Sequence, residues 1–184
     1  MRCARRCLAA LLALALCPMA AWSASASKGW REALDARTAR IWVDAQVLDG
    51  LVLNARARVD VTWLPRSLLK RLEKDQRTDA WALDGLHLYY SKDKETAAKM
   101  KGRDVVVVNY RTEKSWTFDP TELAFGGRSI GSEDILGSPA SWPVGELPSG
   151  ATGTLFLAVP SPEPGVTVRV TLGPDSADIA LPKR

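Results

Sequence analysis

The sequence predicts a mainly β protein: an antiparallel β-sandwich of seven to eight strands with one short helix at about residues 66–77. Three observations predict it. Val105-Val106-Val107-Val108 is a run of four β-branched residues, which a strand buries on both faces only at the centre of a sheet. From Leu51 to Trp63, apolar Leu51, Leu53, Ala55, Ala57, Val59, Val61 and Trp63 alternate with Asn54, Arg56, Arg58, Asp60 and Thr62, the period of a strand with one wet face. Turn signals at Asp49-Gly50, Asp119-Pro120 and Pro160–Gly165 separate short apolar runs, and nothing alternates strand with long helix as parallel βαβ units do.

Taken in order, residues 27–40 offer a short helix or a loose arm, with Trp30 and Leu34 four apart on one face. Ile41, Val43, Ala45 and Val47 alternate and lead into the long strand from Leu51, so a hairpin is expected. Parity selects its turn. A two-residue Asp49-Gly50 turn would set Val43 opposite Arg56, whereas a three-residue Leu48-Asp49-Gly50 loop pairs Val47 with Leu51 and Val43 with Ala55, apolar with apolar. Pro65 ends the strand and opens the helix, with Leu68, Leu69 and Leu72 inward. Residues 81–90 carry Asp84-Gly85 between apolar runs and read as a second hairpin; the charged stretch 91–104 reads as a solvated loop or a short exposed helix. After the central strand at 105–111 come strands at 115–118 and 123–125, then a Gly-, Ser- and Pro-rich surface loop over 126–150. Strands at 152–159 and 166–172 are expected to close the chain as a hairpin, with Ile179 and Leu181 in a short edge strand.

The first 26 residues read as an export signal. Arg2, Arg5 and Arg6 precede an apolar run from Leu8 to Leu16, and Ala24-Ser25-Ala26 forms a small-residue cleavage site. That run falls short of the roughly 20 residues a bilayer-spanning helix needs. Cleavage after Ala26 leaves residues 27–184 as a single domain, periplasmic or secreted, without a transmembrane segment. Two other readings of the leader exist: Arg5-Arg6 as a twin-arginine signal, and Cys17 as a lipid-anchor site, although in Leu14-Ala15-Leu16-Cys17 a bulky leucine stands where the lipobox pattern wants a small residue, and Pro18 follows. Cys3, Cys7 and Cys17 all lie in the leader, so the remaining domain has no cysteine and no disulfide framework. Three arginines leave too, and the formal charge falls from +4 to +1. The basic character therefore belongs to the leader and does not indicate a nucleic-acid partner.

From the valine-rich strand ending in Asn109, through the aromatic strand running into Asp119-Pro120, to Gly150…Gly153 and the strand ending in Val159-Pro160, the second half of the chain resembles the immunoglobulin-like domains of exported bacterial proteins, the telokin-like ones most closely. The resemblance spans about residues 105–182. It implies an immunoglobulin-like sandwich, and since that architecture serves many roles it implies little about activity.

Catalytic chemistry is poorly provided for. Gly127-Arg128-Ser129-Ile130-Gly131 matches the G-x-S-x-G nucleophile elbow, but that motif needs a following helix and a later histidine. The single histidine, His87, lies upstream, among Leu86, Leu88, Tyr89 and Tyr90, and reads as a half-buried strand residue. One histidine without cysteine gives no zinc site, and Met100 alone gives no methionine copper site. Glu133-Asp134 and Asp175…Asp178 offer oxygen ligands without calcium-loop spacing, and no carboxylate pair stands out for glycosidase chemistry. No catalytic residue, metal ligand or cofactor is therefore assigned. Six tryptophans follow residue 26; Trp63 and Trp116 suit the core, Trp42 alternates onto the polar face of its strand, and Trp142 in the long loop is the best exposed anchor, with Arg128 as its polar companion. The expectation is a non-enzymatic exported protein that binds another envelope or secreted protein, as an assembly accessory, inhibitor or immunity-type factor, through Trp142, Arg128, Trp42, the loop 126–150 and the exposed part of the 41–63 hairpin. The alternative is a carbohydrate-binding module or a minor hydrolase of envelope glycans.

Overall fold

After helical residues that end at 35, four strands follow in order: β1 (Thr38–Val43), β2 (Gln46–Leu48), β3 (Leu51–Leu53) and β4 (Ala57–Leu64). The computed structural model describes residue 29 and residues 31–72, 79–137 and 142–182. The predicted export signal, Trp30 and the C-terminal part of the predicted helix 66–77 lie outside the described residues. The chain divides into Met1–Ala33, of which the few described residues are helical, and Leu34–Arg184, which holds every described strand.

Three helices follow β4: α1 (Arg66–Leu72), α2 (Ala80–Tyr89) and α3 (Lys94–Lys99). Then come β5 (Arg103–Thr112), β6 (Trp116–Phe118), β7 (Leu123–Phe125), β8 (Arg128–Ser129), β9 (Ile135–Leu136), β10 (Gly145–Leu147), β11 (Thr152–Pro160), β12 (Thr167–Leu172) and β13 (Asp175–Ala180). Every pairing among the described residues is antiparallel. One sheet has the order β1-β4-β5-β11-β9 and another β13-β12-β7-β8; β2-β3 and β6-β10 are two-stranded ribbons.

β5 is the middle strand of the larger sheet, and Val105, Val106, Val107 and Val108 are each 0% exposed, as the valine run requires. The two faces serve different layers. Val106, Val108 and Tyr110 join Val59, Val61, Leu155 and Leu157 in a core that also takes Leu123, Phe125, Val168, Val170, Leu172 and Ile179 from the four-stranded sheet. Leu64, Val105, Val107 and Ala158 are buried on the opposite face, where the helical segment supplies Leu68, Leu69, Ala82, Leu86 and Met100.

That helical layer corrects the expectation of a single helix. Residues 81–90 form α2, not a hairpin, and Gly85 is a packing residue. It lies inside the helix, and an added Cβ would meet Leu64 Cδ1 at 3.4 Å and Phe156 and Val105 at 3.7 Å. Buried Ala82, Gly85 and Leu86 have helical spacing, which the local Asp84-Gly85 turn signal obscured.

The first hairpin is also corrected. At its base Val43 faces Ala57 and Ile41 faces Val59, so apolar meets apolar as parity demanded. At its tip Leu48 faces Leu51 and Val47 faces Val52, joined by the two-residue Asp49-Gly50 turn that parity had seemed to exclude. Both turn residues have positive φ (48° and 80°), as a type I′ turn needs. The two halves differ in register by one residue, because Asn54-Ala55-Arg56 on one side opposes Asp44-Ala45 on the other. The extra residue is a bulge in mid-hairpin. Asp44 and Asn54, at φ 51° and 59°, take the left-handed conformation there, and Arg56 is pinned by N–H donation to the Val43 carbonyl (2.9 Å) and by acceptance from the Glu113 and Lys114 amides (2.9 and 3.0 Å).

Two further expectations fail on topology. β11 and β12 do not form a hairpin: β11 pairs with β5 and β9, β12 with β13 and β7. Pro160 at the end of β11 and Pro162 and Pro164 after it carry no N–H to continue a ladder, and the chain changes sheet across that segment. Residues 126–150 are also more than a surface loop. Gly126-Gly127 turn β7 into β8, a 3-10 turn follows at Ser132–Asp134, and Ile130, Asp134, Ile135 and Leu136 are buried as the chain crosses from the smaller sheet to β9 in the larger.

Gly153 opposes Tyr110 across β11 and β5, and an added Cβ would overlap the tyrosine ring. The ring lies over the glycine and stacks on toward Phe118, with centroids 5.7 Å apart. Gly153→Val is expected to displace it and to destabilise the protein by about 1–3 kcal/mol, read as a lower urea midpoint at unchanged m-value.

Candidate functional site

The tip of the first hairpin breaks the rule that the rest of the chain obeys. β2 and β3 pair with each other alone, and their large apolar side chains face water: Val47 is 63% exposed, Leu48 59%, Leu51 66% and Leu53 40%. By strand alternation Leu48, Leu51 and Leu53 share one face of the ribbon and Val47 lies on the other with half-buried Val52, so both faces of the tip expose apolar side chains, which is uncommon on a surface without a partner. The base beneath them is firm. Besides the backbone bonds at Arg56, its guanidinium donates to Asp44 Oδ2 (3.0 Å) and to the Ser115 carbonyl (3.1 Å), and Lys114 Nζ reaches the Asn54 carbonyl (3.4 Å).

Trp42 stands next to this tip on the polar side of β1. It is half-buried, and the Arg58 guanidinium from the facing position of β4 lies 6.0 Å from the ring centroid. Asp60 binds both Arg58 and Arg40, the latter at 2.8 Å. The outer face of the large sheet is therefore covered by helices toward one end, over Leu64 and Val105, and carries a charged network around one indole toward the other.

Arg128 and Trp142 are placed differently from the pairing the sequence suggested. Arg128 Nη2 donates to Asp134 Oδ1 at 2.9 Å, and Arg103 Nη1 donates to the same oxygen at 2.7 Å. The second oxygen, Oδ2, accepts from the Gly131 amide at 3.0 Å. Asp134 is 0% exposed, and burial pushes its carboxyl pKa up, but the Arg128 and Gly131 hydrogen bonds and Arg103 together hold it below the usual carboxylate range. This is a structural tie between β5 and the crossing segment. Trp142 is half-buried and packs on the main core, with its indole Nε1 buried and without a hydrogen-bond partner among the described residues.

A second polar centre, missed in the sequence, lies between α2 and the sheet. Asp104 accepts from Trp63 Nε1 at 3.1 Å, and the Tyr89 hydroxyl lies 3.1 Å from Asp104 Oδ1 and 2.9 Å from the Leu64 carbonyl, while the Val105 amide donates to it at 2.8 Å. Burial first, then the Asp104 charge, drive the phenol pKa far upward, so this hydroxyl is a fixed neutral group and no proton shuttle. Only its place on a helix, hidden by the misread Asp84-Gly85, would have revealed it.

His87 is corrected from a half-buried strand residue to an exposed residue of α2. Ser129 of the G-x-S-x-G match sits in β8 with a 3-10 turn after it, and the strand–turn–helix of a nucleophile elbow does not form. Among the described residues no three His, Cys, Asp or Glu side chains group as metal ligands, and no helix is long and apolar enough to cross a membrane. Compared with known protein families, curated proteins and solved structures, the chain matches none significantly.

Proposed function

We propose that this chain is an exported, non-enzymatic protein with an immunoglobulin-like β-sandwich, and that it binds another envelope or secreted protein through the tip of the first hairpin. The observation that carries this reading is the exposed set Val47, Leu48, Leu51 and Leu53 on a rigidly based ribbon. At about 25 cal/mol per Å² of apolar surface removed from water, covering such a patch is a substantial driving force for association. The free backbone edges of the ribbon add a means of register, since an extended partner segment can pair with them. Trp42 with Arg58 supplies a polar rim. The sandwich reading is supported by two antiparallel sheets that share one hydrophobic core. The glycan-binding alternative gains less: among the described residues Tyr90 is the one aromatic side chain standing well out in solvent, so no aromatic row accompanies it.

Leu48→Ser with Leu51→Ser tests the reading. The double variant is expected to unfold within about 0.5 kcal/mol of the wild type, as exposed positions do. In quantitative cross-linking from envelope extract it is expected to lose a partner that wild type and Trp142→Ala both retain. An unchanged partner list refutes the tip as the binding element, and a wild-type self-dimer abolished by the same change replaces the proposed partner with a second copy.

A further inference from the structure

The division of the β2–β3 ribbon into a leucine face (Leu48, Leu51, Leu53) and a valine face (Val47, Val52) sets a condition on any partner. A surface lying flat on the leucines leaves Val47 in water, and one lying on the valines leaves the leucines there. Only a partner that closes around the ribbon, with the tip entering end-on, covers both. Three cross-strand pairs at about 3.4 Å per residue make a projection of about 10 Å. Below it the apolar stretch gives way to a polar collar, formed by the Asp44–Arg56 ion pair (3.0 Å) and by Lys114 Nζ at the Asn54 carbonyl (3.4 Å). A collar of that kind suits the wet rim of an interface, and it marks how far the tip can enter.

One charge interrupts the apolar tip, and it stands at the apex. Asp49 is exposed in the turn, and among the described residues it takes part in no ion pair. Its positive φ followed by that of Gly50 needs a residue such as Asn or Asp, so the turn itself has no use for the charge. A carboxylate carried into an apolar site loses its hydration, and only a cation there offsets that loss. The hydrocarbon of a bilayer offers none, and Asp49 would be the first group to enter it. A protein pocket can supply one. We propose that the partner's docking site is an apolar pocket about 10 Å deep that takes the ribbon end-on. Leu48, Leu51 and Leu53 meet one wall, Val47 and Val52 the other, and a lysine or arginine at the floor pairs with Asp49. The pocket rests on the reading of the hairpin tip as the binding element and adds the chemistry of the partner to it.

Photo-cross-linking of the whole protein in envelope extract tests this, with a benzophenone side chain at position 47 in one variant and at position 51 in another, on opposite faces of the ribbon. Both variants are expected to form an adduct with the same polypeptide, identified by mass spectrometry. In either background Asp49→Asn is expected to lower the adduct yield about tenfold or more at limiting protein concentration, as loss of a desolvated ion pair does. Glu163→Gln, an exposed acid between β11 and β12, is expected to leave the yield unchanged. Every variant is expected to keep the wild-type urea midpoint, because positions 47, 49, 51 and 163 are exposed. An adduct from one of the two positions alone overturns the pocket while leaving the tip as the binding element; adducts from neither overturn both. An undiminished yield in Asp49→Asn overturns the basic floor. An adduct with a second copy of the chain overturns the pocket in favour of a dimer. Binding of the wild type to phosphatidylethanolamine–phosphatidylglycerol vesicles, abolished by Leu48→Ser with Leu51→Ser, overturns it in favour of a lipid surface.

Discussion

Asp134→Ala is expected to destabilise the protein by about 3–5 kcal/mol, because it leaves two guanidiniums, Arg103 and Arg128, facing a buried position without their shared anion. The Gly131 amide loses its acceptor at the same time. Asp134→Asn keeps the shape but not the charge, and is expected to fall between the two. The carboxyl also sets a pH dependence. Its pKa in the folded chain lies below that of the unfolded chain, so its contribution is complete above the unfolded carboxylate range, near pH 4, and is lost as pH falls through the folded value. Urea midpoints measured from pH 7 down to pH 3 are expected to fall in the wild type and to fall less steeply in Asp134→Ala. Parallel curves for the two proteins would mean that the tie contributes nothing to acid sensitivity.

The second large effect is expected from Tyr89→Phe. The lost hydroxyl sits where the β4–β5 ladder ends, accepting from the Val105 amide, with the Leu64 carbonyl and Asp104 as alternative acceptors for its single proton. Phenylalanine fills the same space and strands the Val105 N–H away from water. An unsatisfied buried donor costs about 1–3 kcal/mol, and the weakened hold on Asp104 adds to that. The expected loss is about 2–3 kcal/mol in urea denaturation, with amide exchange accelerating first in α2 and at Val105. A loss below about 0.5 kcal/mol would show that water replaces the hydroxyl without penalty.

Both of these groups escaped the sequence, for a reason that also explains what did not. Period-two alternation and the valine run depend on neighbours one or two residues away, so β4, β5 and β12 could be read directly, along with the parity of the first hairpin's base. Asp134 looked like any acid in a glycine-rich segment, because Arg103 and Arg128 reach it only after the chain has crossed between sheets. Gly85 looked like a turn because its real determinant, the closeness of Leu64, Val105 and Phe156, is set by the sheet beneath the helix. Parity argues against the Asp49-Gly50 turn, and the bulge at residues 54–56 that reconciles the two has no local signature beyond Asn54. Of the candidate site, the exposure of the first hairpin's tip follows from its local sequence, whereas the ion pair of Arg128 with Asp134 and the packing of half-buried Trp142 on the core depend on the crossing between sheets and leave no local trace.

The pairing of β5 with β11 sets residues 103–111 against 152–160, so the middle of the large sheet closes late in the chain. Until Pro160 has been made and laid down, Val105 to Val108 present a bare strand edge of the kind that templates aggregation. Such long-separated pairing also slows folding toward the millisecond-to-second range. A nascent or truncated chain ending before residue 152 would keep that edge open, and would be expected to associate with itself.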